Sequence, residues 1–130
     1  MISDATFISS EGDYLEAQIQ VGGQRLIVMD CFGGEDFKTG EQIEIELSVG
    51  LAADERWDDM FSANPDAQQC LVPQIGWCYR AFGIVEAIDP EVSVHVGIAT
   101  LIAPIETNDP QVIGQPIAWT IQRLDAHSIL

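Results

Sequence analysis

Tyr14-Leu15-Glu16-Ala17-Gln18-Ile19-Gln20-Val21-Gly22-Gly23-Gln24-Arg25-Leu26-Ile27-Val28-Met29-Asp30-Cys31-Phe32 reads as a β-hairpin. Leu15, Ala17, Ile19 and Val21 alternate with Tyr14, Glu16, Gln18 and Gln20, and period two is the mark of a strand with one buried face. Gly22-Gly23 supplies the positive φ angles of a two-residue hairpin turn. With those two glycines as the turn, Ile19 stacks on Leu26, Ala17 on Val28 and Leu15 on Asp30. Asp30 thus falls on the core face, where a carboxylate is costly unless hydrogen-bonded. Capping of the strand end beside Gly33-Gly34 is its expected structural role. The other face carries Ile27, Met29 and Cys31, so this strand is expected to be covered on both sides, by the chain or by a partner.

Outward from the hairpin, Gly33 to Gly40 reads as a loop. Glu41 to Val49 alternates again, with Ile43, Ile45, Leu47 and Val49 inward and Gln42, Glu44, Glu46 and Ser48 outward. From Leu51 to Ser62 the period changes. Ala53, Trp57, Met60 and Phe61 form one stripe of a short helix, which Asn64-Pro65 is suited to end. Gln74 to Ile88 and Val92 to Ile102 read as strands, the second broken or bent near Gly97. A long loop follows from Pro104 to Pro116, and a last strand runs from Ile117 to Leu124.

The fold expected is mainly β: a small barrel of five to six strands with one short helix. The order strand-strand-strand-helix-strand-strand, from Tyr14 to about Ile102, resembles that of the OB-fold, with one strand added. Its 130 residues, 47% of them hydrophobic, predict a single domain over 1–130 with a core of its own.

Charge narrows the function. Five Lys and Arg stand against 21 Asp and Glu, a formal net charge of −16. Nucleic-acid backbones and anionic membrane surfaces are bound by basic side chains, so neither is an expected partner. Acidity concentrates early, with 15 acids and three bases through Asp66 against six acids and two bases beyond it. Such a field speeds association with a basic protein surface, although it also serves solubility alone. No basic, apolar leader opens the chain and no stretch approaches a membrane span, so a cytoplasmic location is expected.

Contiguous signatures of phosphate-binding loops, zinc knuckles, metalloproteases or nucleophile elbows are absent. No cofactor and no metal are expected. Cys31, Cys70, Cys78, His95 and His127 contain no short ligand pair, and His127 is expected to fray near the terminus. Buried thiols and an ordinary strand histidine are the favoured readings. Trp57, Trp77, Tyr79, Phe82 and Trp119 are read as core or rim packing, because only five bases are available to meet phosphates.

These readings favour a non-catalytic acidic module that engages a basic protein, as an inhibitor, an immunity-type protein or an accessory subunit. Glu35, Asp36, Glu44, Glu46, Asp54, Glu55, Asp58 and Asp59 would supply the field, with Phe37 and Trp57 as anchors. One alternative is a small-molecule-binding barrel or small enzyme, with a pocket at the mouth formed by Asp30, Trp77, Tyr79 and His95. Another is a structural homo-oligomer joined through Ile27, Met29 and Cys31.

Overall fold

The computed structural model describes residues 1–129. Among them the strands are β1 (Ile2–Ser10), β2 (Glu16–Val21), β3 (Gln24–Cys31), β4 (Gln42–Ala52), β5 (Cys70–Pro73), β6 (Tyr79–Asp89), β7 (Glu91–His95), β8 (Thr100–Glu106) and β9 (Pro116–Ser128). One short helix, α1 (Trp57–Ser62), and two 3-10 turns, Gly34–Asp36 and Pro110–Val112, complete the described elements. The class is mainly β with one short helix, as the alternation patterns require.

The hairpin register is the one the glycines impose. Ile19 faces Leu26 and Ala17 faces Val28, with Gly22 and Gly23 at φ 57° and 84°. Asp30 N donates to Leu15 O at 2.9 Å, which extends the pairing to the expected last position. Leu26, Val28, Ile19 and Ala17 are almost wholly buried.

All strands join one sheet in the order β3-β2-β1-β4-β9-β6-β7-β8, with β5 paired to β6. Every pairing is antiparallel except β3 with β9, which is parallel through Met29–Asp125, Asp30–Ala126 and Cys31–His127. That contact closes β1, β2, β3, β9 and β4 into a ring. β9 can close it because it is long: 13 residues reach from β6 at one end to β3 and β4 at the other. Beyond the ring, β6, β7 and β8 extend the sheet, and β8 returns to pack beside β4.

Which segments close the ring differs from the sequence expectation. Ile2–Ser10 is a strand whose inward residues are Ser3, Ala5 and Phe7; a serine and an alanine on the buried face conceal its alternation. Leu51 and Ala52 still belong to β4, so the helix starts only at Trp57 and buries Met60 alone. Asn64 takes no left-handed cap conformation. It is buried, donates from Nδ2 to Gln68 O, Gly83 O and Ile117 O, and ties the helix exit to β6 and β9. At Gly97 (φ 91°) the segment turns fully, separating β7 from β8.

Candidate functional site

Asp30 is fully buried at the ring's seam. It accepts from Ser10 Oγ, from Phe32 N at 3.0 Å and from Gly34 N at 3.0 Å through Oδ2. A buried carboxylate with this many donors holds the β3 exit loop in place, which is the capping role read from its position. A Cβ on Gly34 would crowd Asp30 Oδ2, Ser10 Cβ and Phe7, so the loop backbone packs too tightly there for a larger residue.

Tyr79, Trp77 and His95 do not join Asp30. Tyr79 is 1% exposed and bonds the backbone of Ile27. Burial pushes its hydroxyl pKa up, with the Ile27 hydrogen bond opposing. Trp77 is half-buried, and its carbonyl accepts from Leu124 N. His95 Nδ1 lies 2.8 Å from Gln69 Oε1 and 3.2 Å from Gly97 N, on β7. The four residues expected at one mouth are therefore held by separate partners. Trp119 is wholly buried, as core packing required.

The ten residues expected to meet a partner also divide. Glu35 and Asp36 lie in the 3-10 turn near Ser10, at the start of β4; Asp54, Trp57, Asp58 and Asp59 lie beyond its far end. The eleven residues of β4 lie between the two groups along the chain. Glu55 is tied into the scaffold, accepting from Arg80 Nη1 at 2.8 Å and Thr120 N at 2.7 Å. Phe37 is half-buried against Phe32 and Phe7, whereas Trp57 is 39% exposed beside Phe61.

Between the two groups lies the outer face of β1 and β4. Asp4 stands directly opposite Glu44, and Glu46 is opposite Ile2; all three acids are exposed. Like charges opposed on one sheet face repel. The counter-charge at hand is the chain's amino terminus, 3.3 Å from Glu46 Oε1.

A third cluster joins Cys31 and His127, two of the ligand-type residues considered from sequence, to Asp125, which sequence reading did not single out. Cys31, Asp125 and His127 bring their ligand-type atoms within 4.8 Å of one another. His127 does not fray: it sits between Glu46 of β4 and Cys31 of β3 in the ladder, and its Nε2 lies 2.7 Å from Ser48 Oγ. Asp125 is 4% exposed and receives Arg123 Nε at 2.7 Å and Nη2 at 3.2 Å. That hydrogen bond raises the Arg123 pKa. The Cys31 thiol pKa is raised too, chiefly by burial and then by the Asp125 charge. A thiol so placed stays protonated and is a poor nucleophile at rest. Cys70 and Cys78 lie elsewhere, Cys70 paired with Phe82 across β5–β6 and Cys78 donating to Gln122 O.

Against protein-family models, curated proteins and solved structures, the chain finds no match. No helix among the described residues is long and apolar enough to cross a membrane.

Proposed function

We propose that the chain is a non-catalytic binding module whose acidic β1–β4 face engages a basic protein surface. One observation carries this reading: Asp4 and Glu44 face each other across the β1–β4 ladder, with Glu46 next in line. A cross-strand pair of like charges costs stability, and an incoming Lys or Arg relieves that cost on binding. Little inside the chain does so. Among the described residues the acids in ion pairs are Glu46, Glu55 and Asp125. Glu35 and Asp36 extend the field at one end of β4; Asp54, Asp58 and Asp59 extend it at the other, with exposed Trp57 as an apolar anchor. The inhibitor, immunity-type and accessory-subunit roles all use this mode.

We also read the ring as OB-like. Three antiparallel strands in sequence, a fourth returning to β1 and a last strand closing on β3 support a Greek-key connectivity.

The small-molecule reading has weaker support. The residues expected at the mouth do not share a cleft: the one of about 430 Å³ that Asp30 lines includes none of Trp77, Tyr79 and His95. Ile27, Met29 and Cys31 are already half-buried by the chain itself, which leaves less for a symmetric interface to cover.

The test neutralises Asp4, Glu44 and Glu46 together, and separately neutralises Glu86, Asp89 and Glu106 as a charge-matched control. Binding of basic host proteins should weaken steeply with salt, fall in the first variant and persist in the second. Equal binding at low and high ionic strength, or equal loss in both variants, sinks the proposal.

A further inference from the structure

We propose that Cys31, Asp125 and His127 form a three-ligand site for a divalent transition-metal ion, zinc in the first instance, with its fourth position open to the neighbouring cleft.

The parallel β3–β9 pairing makes the site. It sets Cys31 and His127 side by side in register, and Asp125 precedes His127 by two residues on the same face of β9. Sulfur, nitrogen and carboxylate oxygen is a donor set suited to zinc rather than to calcium or magnesium. Tetrahedral zinc, with bonds of about 2.0–2.3 Å, holds its donors roughly 3.3–3.8 Å apart. The three donor atoms already lie within 4.8 Å, so small side-chain rotations close the remaining gap.

Their surroundings match what metal ligands use. Ser48 Oγ, 2.7 Å from His127 Nε2, can hold the imidazole in the tautomer that leaves Nδ1 its lone pair. Arg123 orients the Asp125 carboxylate with two hydrogen bonds, leaving that carboxylate further lone pairs for an ion. Gly50 gives Asp125 its room, since a Cβ there would collide with the carboxylate. A cleft of about 430 Å³, lined by Asp13, Tyr14, Asp30, Cys31, Gly33 and His127, reaches two of the three ligands. It has space for a water or a small anionic ligand at the fourth position. Tyr14, on its lip, is held at φ 63°, a conformation uncommon outside glycine. On binding, the Cys31 S–H proton passes to solvent as the sulfur–metal bond forms, so the ion is taken up with release of one proton.

The experiment titrates the full, reduced, metal-free chain with Co(II) and follows absorbance. One equivalent should produce a thiolate-to-Co(II) band in the near ultraviolet together with tetrahedral d–d bands, and Zn(II) should displace both. Cys31→Ser should abolish the thiolate band, while a Cys70→Ser, Cys78→Ser double variant keeps it. Ser48→Ala, which removes only an outer partner, should weaken Co(II) binding by about 10–100-fold with the band intact. In the unmodified chain, saturating Zn(II) should slow alkylation of Cys31 by roughly tenfold or more and leave Cys70 and Cys78 unchanged. This measurement needs no variant to fold. Absence of a thiolate band, its survival in Cys31→Ser, or alkylation of Cys31 indifferent to Zn(II) overturns the proposal. None of these outcomes bears on the acidic β1–β4 face.

Discussion

Tyr79 Oη both accepts from Ile27 N, at 2.7 Å, and donates to Ile27 O, at 3.0 Å. In β3 the even-numbered residues bond β2, so the backbone groups of Ile27 point the other way, toward the seam with β9. The β3–β9 pairing covers only Met29 to Cys31. Ile27 is thus left beside an open stretch of the ring, and a single phenol from β6 satisfies both of its polar groups.

Tyr79→Phe should therefore destabilise the chain by about 1–3 kcal/mol, because two part-buried backbone groups lose their partner together. Chemical denaturation measures this. A loss below half a kcal/mol would mean that water replaces the hydroxyl and the seam is wet.

Stability should fall on the alkaline side. Tyr79 and Cys31 both have folded pKa values raised above their ordinary values of 10.0 and 9.0, each mainly by burial. A raised pKa favours the protonated, neutral form in the fold. Its contribution is complete below the ordinary value and is lost as pH climbs through the folded one. Denaturation midpoints should hold steady to about pH 8 and decline from about pH 9 upward; Tyr79→Phe and Cys31→Ser should each flatten that decline. A wild-type profile flat to pH 11 would refute the assignment.

Asp30→Ala should cost about 2–4 kcal/mol, since Ser10, Phe32 N and Gly34 N all lose an acceptor. Hydrogen exchange should quicken first at Gly34. An unchanged Gly34 exchange rate would show that the loop is held by something else.

Gly50→Ala should destabilise by about 1–3 kcal/mol, as expected for overpacking at a closed site. The new methyl collides with the Asp125 carboxylate, which Arg123 holds. Combining it with Asp125→Ala should recover part of the loss, read as non-additivity in a double-mutant cycle.

Glu44→Gln should do the opposite and stabilise the chain by about 0.2–1 kcal/mol at low salt, by removing its repulsion with Asp4. The gain should shrink as salt screens the pair. A variant that gains stability while losing a basic partner would mark this face as kept for binding rather than for folding.

Much of this arrangement was legible one strand at a time. The Gly22-Gly23 turn dictated the register that brings Ile19 onto Leu26, and that register predicted Asp30 on the buried face. Period two identified β4, and the stripe through Trp57 and Met60 identified a helix, though from Leu51 rather than from Trp57. β1 escaped because Ser3 and Ala5 occupy buried positions without strong hydrophobic contrast. The acidic face was visible only in part: Glu44 and Glu46 stood out, but their neighbour Asp4 comes from a strand that alternation did not reveal.

The sequence by itself determined the local matters, namely strand and turn, inward and outward faces, and an excess of negative charge, because each depends on residues within a few positions of one another. Only the tertiary structure decided which strands meet. The parallel closure of β3 on β9 joins segments from opposite ends of the chain, and no pattern confined to either segment encodes the other's register. That non-local pairing carries His127 and Asp125 to Cys31 and opens the gap that Tyr79 fills. Both features follow from ring closure, which rests on the summed burial of many side chains rather than on any short motif.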